Sequence, residues 1–464
     1  MRLGSAGRVC PSSRDRQASA SDAERCAGGA SNVPDRGGIP EGGACPLLLF
    51  VAATRNPNLS PLHLSSVKRL LWLGFGAFFL VAVVLAVNEF RPVGPVPALQ
   101  TIGPSTGAPG AAVAVPWPAS AQGAIGGEDD GAVASSPGAQ PKPIASVAKV
   151  MTALVVLDEK PLKQGEQGPA VPVSAEDVTE YQQEAANKES VVAVQAGEAL
   201  SEYQALQGLL IPSGNNLATL LARWASGAVD AHVQRMNAKA KALGLGHTTF
   251  SDVSGLSEKT VSVPADLVRM GQEALKNPVL ADIVEQEQAV LPVAGTVPNV
   301  NYALGQSGIF GIKTGNIAAG GAVYLFAGNV QLTSGAKIYV VGAVQGLPTL
   351  DGAFAAAKTL LQAARTSLQT LHVVAKDQTV GRYQLPWGGG SDVVATQDLD
   401  VLVWAGTVVR MALRADPVSP PVSPRTTVGS LHVTAGDATF DLPVANTDQL
   451  YAPGRAARLT RVTW

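Results

Sequence analysis

The sequence predicts an α/β (α+β) domain, with helices packed on an antiparallel sheet. A small all-β domain follows it and a transmembrane helix precedes it. Three observations carry this prediction. The run LLWLGFGAFFLVAVVLAV, residues 70–87, is apolar and uncharged over about the length a helix needs to cross a bilayer. From about Val113 to Leu371, segments with helical spacing of apolar residues alternate with short β-rich runs. After Leu371 only short strand-like runs remain, separated by Gly, Asp and Pro.

Residues 1–69 are expected to form a disordered cytoplasmic segment, because they are rich in Gly, Ser, Arg and Pro and show no periodicity. The three cysteines, Cys10, Cys26 and Cys45, all lie there in no metal-ligand spacing, so neither a disulfide framework nor a zinc site is implied. After Met1 the next methionine is Met151, and translation is therefore expected to begin at a non-methionine codon near Val67. Arg55, Lys68 and Arg69 precede the apolar run, whereas Glu89 and a lone Arg91 follow it. This asymmetry reads as a single-pass signal anchor at 70–87 with the rest of the chain on the outer side of the cytoplasmic membrane. A cleaved signal peptide fits less well, since the run is long for a signal core and no A-x-A site directly follows.

Residues 88–112, rich in Pro, Gly and Ala, read as a linker. Residues 113–371 form the mixed domain. Asp129 and Asp130 sit in a turn-like EDDG. Val147–Leu157 is apolar nearly all round, as a central buried helix would be. Ser201 is the expected N-cap of a helix reaching Leu210, a second helix starts at Asn216 or Leu217, and Pro264 opens a third through Leu275. Ala322–Ala327 and Lys337–Val344 are β-rich and joined by a turn region, hence an antiparallel pair. Phe354, Ala357, Leu361, Ala364 and Leu368 recur at helical spacing, which predicts an amphipathic helix over Asp351–Leu371. Residues 372–464 form the all-β domain.

Composition narrows the function. At 464 residues the chain exceeds the usual single core, and 46% hydrophobic against 15% charged residues suits a globular body with a membrane segment. A net charge of −2 gives no footprint for nucleic acid. The histidines of the body, His232, His247, His372 and His432, are scattered singly, and no nucleophile elbow accompanies them.

The chemistry lies in three short motifs. Ser146 and Lys149, in PIASVAKVMTALVVLDE, are three residues apart, which places both side chains on one helical face. Ser-x-x-Lys is a weak signal by itself, and Ser65–Lys68 and Ser334–Lys337 match it too. Ser213-Gly214-Asn215 lies between two apolar helical runs and is good turn chemistry on its own. Lys313-Thr314-Gly315 opens a β-rich run and alone reads as a strand with one lysine. An alcohol needs a base to become a nucleophile, and Lys149 is the nearest candidate. Apolar surroundings and a second positive charge at Lys313 are both expected to lower its pKa.

Taken together and in this order, behind a membrane anchor, the motifs resemble those of active-site-serine penicillin-interacting enzymes. The chain is similar to the D-alanyl-D-alanine carboxypeptidase family of low-molecular-mass penicillin-binding proteins. GLGHTTFSDVSGLSEKTVSVPADLVRMGQEAL, residues 244–275, resembles the family's segment between second and third motifs. Residues 372–464 resemble its C-terminal β domain less specifically.

The resemblance implies a serine β-lactamase/transpeptidase-like fold. It implies that Ser146 attacks the peptide bond between two D-alanines of a peptidoglycan stem peptide, forming an acyl-enzyme that water hydrolyses. Ser213 would relay a proton, and Asn215 would hold the lysine and the substrate amide. Lys313 and Thr314 would meet the terminal carboxylate, and Gly315 would admit the peptide to the strand edge. Backbone N–H groups of Ser146 and Asn316 would hold the oxyanion. β-Lactams would acylate the same serine, and no metal or cofactor is required. Asn316 stands where many members have histidine, the Ser-Val-Ala-Lys interior lacks the common threonine, and no Glu-x-x-Leu-Asn follows the second motif, which disfavours rapid β-lactam hydrolysis. A DD-endopeptidase of cross-links and a non-catalytic cell-wall-binding protein are the alternatives. Oligomeric state is not legible.

Overall fold

The computed structural model describes residues 62–111, 114–128, 132–332 and 334–461. The disordered reading of residues 1–69 lies outside them over 1–61, as do the three cysteines and the Asp129-Asp130 turn; over 62–69 the chain is helical instead, the start of the helix Leu62–Phe90. The chain divides into units Met1–Ala77 and Phe78–Trp464. In the first unit, the described residues are helical and belong to the helix Leu62–Phe90. Its stretch Ser66–Phe90 is, among the described residues, the one helix long and apolar enough to cross a membrane.

In the second unit, Gly321–Gln331 and Lys337–Leu347 are apolar at most positions, the pattern of strands covered on both faces. Val323, Leu325 and Ala327 pack into one core, and Tyr324, Phe326 and Val330 alternate into another. These two strands lie inside a five-stranded antiparallel sheet ordered Ile309–Ile317, Gly321–Gln331, Lys337–Leu347, Gln122–Gly126, Ala134–Ser135. The first core holds the helices Ala148–Glu159, Glu202–Leu210, Asn215–Ser226 and Pro264–Lys276, and the second holds Leu350–Ser367. Contact is close enough that a β-carbon on Gly271 would meet Val341, Ile312 and Leu325 side chains at 2.8–3.0 Å. Ile309–Ile317 is an edge strand.

Local signals account for the helix starts. Ser201 accepts from the Gln204 N–H while the Gln204 side chain accepts from the Ser201 N–H. Pro264 occupies the first turn of its helix, where its missing N–H costs nothing. Two expectations need correction. The amphipathic helix ends at Ser367 rather than Leu371, because Leu368–Val374 is a strand paired with Leu399–Trp404. Burial of Leu368, which the helical period also explained, comes from that strand.

The second correction concerns the linker. Ala98–Gln100 pairs with Thr379–Gln384 and Ser105–Gly107 pairs with Val408–Ala415, at opposite ends of a seven-stranded antiparallel sheet. One short segment thus borders both edges of the C-terminal sheet and blunts them. Its Pro and Gly residues suit edge strands, which need no complete hydrogen-bond ladder. The end of the apolar helix is tied to the chain's last described residues. Asn88 Nδ2 donates to the carbonyls of Leu459 and Arg461 at 3.2 and 3.1 Å, and the Arg461 guanidinium donates to the carbonyls of Asn88 and Arg91.

Candidate active site

The helix Ala148–Glu159 is preceded by a turn of 3₁₀ helix, Ala145–Val147, so Ser146 sits just before the helix and Lys149 in its first turn. Lys149 is fully buried and its Nζ lies 2.7 Å from Ser146 Oγ. The same nitrogen is 2.6 Å from Asn215 Oδ1, 3.1 Å from the Ser254 carbonyl oxygen and 3.4 Å from Ser213 Oγ. Two of these partners, the amide oxygen and the carbonyl oxygen, can only accept. In a neutral amine they take both N–H groups and leave the lone pair for the Ser146 hydroxyl proton.

Burial lowers the pKa of Lys149 from 10.5 to about 7, against the raising influence of Asp252, Glu184 and Glu189. Lys313 was expected to contribute to this lowering. It is not among the causes. Lys313 is buried too, donates to its neighbour's carbonyl at Thr314 at 3.3 Å, and is pushed far below the usual lysine range by burial and then by the charge of Lys149. Lys149, with four partners and three carboxylates nearby, is the better placed of the two to hold a proton.

Ser213 is buried and has a positive φ of 69°, as does Ala145 at 45°. Non-glycine residues rarely adopt this conformation, and it concentrates at functional sites. Here it points both serines at one lysine. Asn215 is the first residue of the helix Asn215–Ser226, which fixes its side chain beside Lys149.

The edge strand carries the third motif. Lys313 pairs across from Leu325 and Thr314 across from Tyr324, so the two side chains leave opposite faces, Lys313 toward the core that surrounds Lys149. Asn316 is exposed. A β-carbon on Gly315 would lie 2.9 Å from the Ile144 carbonyl oxygen and 3.0 Å from the Ser146 nitrogen. The glycine was expected to admit substrate; its bare α-carbon also admits the backbone of the nucleophile's own turn.

Several residues of the site escaped sequence reasoning. Asp252 accepts from the Gly255 and Leu256 N–H groups and from the Ser254 and Thr260 hydroxyls, shaping the loop that offers the Ser254 carbonyl. Thr152, one turn after Lys149, donates to the Val253 carbonyl at 2.7 Å and pins that loop to the helix. Glu189 accepts from Asn215 Nδ2 at 3.1 Å. For Asp252 the one signal available was the resemblance of residues 244–275, which carried no assignment for it; Thr152 and Glu189 lie outside that segment. His232 is buried, its Nδ1 2.9 Å from Ser226 Oγ and its pKa lowered to about 4 by burial, the behaviour of a packing residue. Among the described residues no group of three or more His, Cys, Asp and Glu side chains converges as metal ligands would.

Comparison with known proteins adds a family. Residues 128–338 match the family model described as D-alanyl-D-alanine carboxypeptidase. The chain is 37% identical over 153 residues to the D-alanyl-D-alanine carboxypeptidase DacB2 of Mycobacterium tuberculosis, covering 32% of this chain and 48% of that protein. It is 25% identical over 334 residues to the D-alanyl-D-alanine carboxypeptidase DacF of Bacillus subtilis, covering 68% and 82%. It is 35% identical over 140 residues to a D-alanyl-D-alanine endopeptidase of Pseudomonas aeruginosa, covering 30% and 42%. The chain therefore spans about half the length, or less, of two of these three relatives. Among solved structures, penicillin binding protein 5 of Haemophilus influenzae matches with a TM-score of 0.59 at 18% identity, over 74% of this chain and 100% of that one. The carboxypeptidase DacD of Francisella tularensis matches at 0.56 and 17%, over 78% and 98%. These two share the fold.

Proposed function

We propose, from the premise that this chain belongs to the D-alanyl-D-alanine carboxypeptidase family, that it removes the terminal D-alanine from peptidoglycan stem peptides through an acyl-enzyme at Ser146. The observation that carries this reading is the buried Lys149 amine, 2.7 Å from the Ser146 hydroxyl and held by Asn215 and the Ser254 carbonyl.

In this reading Lys149 takes the proton of Ser146 as its oxygen attacks the carbonyl of the penultimate D-alanine. The tetrahedral oxyanion is held by the N–H groups of Ser146 and Asn316. Ser213 gives its proton to the leaving amine and regains one from Lys149, the bond to the terminal D-alanine breaks, and an ester on Ser146 remains. Water then attacks that ester, its proton passing to Lys149 and on to Ser146 Oγ as the acyl–oxygen bond breaks, which frees the shortened stem peptide and regenerates Ser146. An extended stem peptide pairs with the free edge of Ile309–Ile317, its terminal carboxylate near Lys313 and Thr314. A general base in such contact contributes roughly 10²–10⁴-fold to rate. The stretch 70–87 of the helix Ser66–Phe90 serves as a single-pass anchor with the catalytic domain, 113–371, and the β domain, 372–464, on the cell-wall side. Residues 1–69 lie in the cytoplasm.

Intact-mass measurement with benzylpenicillin tests the nucleophile. Wild type is expected to gain one penicillin mass, and Ser146→Ala none; an adduct on Ser146→Ala as fast as on wild type rejects the assignment. A second reading, endopeptidase action on cross-links, is favoured by the 35% identity to the Pseudomonas aeruginosa endopeptidase. Purified muropeptides separate the two: loss of D-alanine from a pentapeptide monomer supports the first, and cleavage of a cross-linked dimer to monomers supports the second.

A further inference from the structure

The Ser213-Gly214-Asn215 turn is braced by the segment that precedes it in sequence by about two dozen residues. Asn215 N–H donates to the Ser190 carbonyl at 2.8 Å. The Asn216 side chain accepts from the Val192 N–H at 3.0 Å and donates to the Val192 carbonyl at 2.8 Å. Glu189 N–H donates to the Glu184 carbonyl at 3.0 Å, and Lys188 before it has a φ of 62°. The backbone on both sides of Glu189 is thereby held, and its carboxylate meets two amides. Oε2 accepts from Asn215 Nδ2 at 3.1 Å, and Oε1 accepts from Asn187 Nδ2 at 3.3 Å.

This matters because an asparagine side chain can present either its oxygen or its nitrogen to a neighbour. A flipped Asn215 would turn an NH₂ toward Lys149, two donors facing each other, and the amine would lose its shortest hydrogen bond. A carboxylate accepts only, so Glu189 makes the flipped state unfavourable from the far side. One N–H of Asn215 is used in this way and the other stays free for a substrate carbonyl.

We infer that Glu189 is a positioning residue for the reaction, fixing the Asn215 amide so that its oxygen faces Lys149 and the lysine is aimed at Ser146. Glu189 acts on Lys149 through charge as well. The charged groups around Lys149 are Glu184 and Glu189 from the segment before the turn, Asp252 from the loop that offers the Ser254 carbonyl, and Lys313 on the edge strand. Glu184 is itself raised to about 7, by burial first, then by Glu180 and then by the charge of Glu189. Removing that charge lowers the affinity of Lys149 for its proton.

The inference rests on the acyl-enzyme reading for its rate effect but not for its electrostatic one, and two variants separate them. Glu189→Gln keeps an acceptor for Asn215 Nδ2 and loses the charge; Glu189→Ala loses both. With benzylpenicillin, Glu189→Ala is expected to acylate about 10- to 100-fold more slowly than wild type, the usual effect of a misplaced catalytic group. Glu189→Gln should fall between wild type and Glu189→Ala, since its amide oxygen can still accept from Asn215 Nδ2 but its NH₂ no longer excludes the flipped amide. In both, the Lys149 titration followed by ¹³C NMR of labelled lysine should move to lower pH. Wild-type acylation rates in Glu189→Ala with an unchanged melting temperature would overturn the positioning role. So would a defect confined to hydrolysis of the acyl-enzyme. If wild type itself forms no adduct, the proposed function fails, and the lysine titration alone decides the inference: an unmoved titration in both variants rejects it.

Discussion

The carbonyl oxygen of Ala145 occupies the space beside Gly255 that a side chain would need, 1.8 Å from where its β-carbon would stand. Gly255 also has a φ of 85°, a conformation L-residues adopt at a cost of about 1–2 kcal/mol. The loop that offers the Ser254 carbonyl to Lys149 is therefore seated directly against the residue before the nucleophile. Gly255→Ala is expected to lower stability by about 2 kcal/mol or more and to slow penicillin acylation, since Ala145 and Ser146 must shift. Gly246→Ala is the control, because nothing lies within 4 Å of its would-be β-carbon. It should stay within about 0.5 kcal/mol of wild type. Thermal melts and acylation rates of the two variants check this, and equal behaviour would remove the role assigned to the contact.

The Gly255 contact also shows what the sequence could and could not reveal. Ser146, Lys149, Ser213 and Asn215 were legible as an ordered set, since each motif alone also reads as ordinary turn or helix chemistry, and the structure gathers Ser146, Ser213 and Asn215 within 3.4 Å of the Lys149 nitrogen. Ser254 contributes a backbone carbonyl, which every residue has, so no residue type marks it. Glu189 lies in a polar stretch, QQEAANKES, where a carboxylate reads as solvated surface. Ala98–Gln100 and Ser105–Gly107 are three residues each, too short for alternation to rise above their Pro- and Gly-rich background. Their strand identity comes from partners nearly 300 residues away.

The acylation rate should depend on pH through Lys149. Its pKa of about 7 is the balance between burial, which favours the neutral amine, and three carboxylates, which favour the ammonium. Only the neutral form can take the Ser146 proton. The second-order rate with benzylpenicillin is expected to rise about tenfold per pH unit below about pH 7 and to level above it. Rates from pH 5 to pH 9, with unfolding monitored in parallel, check this. A flat profile across that range would count against Lys149 as the base.

Lys313 offers a trade between stability and activity. Its amine is buried with a 3.3 Å bond to the Thr314 carbonyl, and its folded pKa lies well below the unfolded 10.5. The sign of the linkage follows. Below pH 10.5 the unfolded chain takes up a proton that the folded chain refuses, so stability falls as pH drops from 10.5 toward the folded pKa. Lys313→Met removes that loss and keeps the volume. It is expected to raise unfolding free energy by about 1 kcal/mol, more at neutral pH than at alkaline pH, while abolishing acylation. Denaturant melts at two pH values check it, and a variant less stable than wild type at neutral pH would show that Lys313 is held by the fold as a favourable interaction.

The last prediction concerns the junction between the apolar helix and the β domain. The helix ends at Phe90, and its final carbonyls have no helical partners of their own. Arg461 supplies them, donating to Asn88 and Arg91, while Asn88 Nδ2 returns two bonds to Leu459 and Arg461. Further along, Val96 bridges to Val418 and Ala98 enters the C-terminal sheet. The stretch 91–97 is thus held at both ends, and its resistance to a protease should depend on the Arg461 end. Arg461→Leu, in the full-length protein in detergent, is expected to be cut by proteinase K between Arg91 and Pro97 several times faster than wild type. Arg455→Leu, at a side chain 92% exposed with a distant Glu89 contact of 3.8 Å, is expected to be cut at the wild-type rate. Equal cleavage in all three would mean that the sheet pairing at Val96 and Ala98 holds the junction without help from the chain's end.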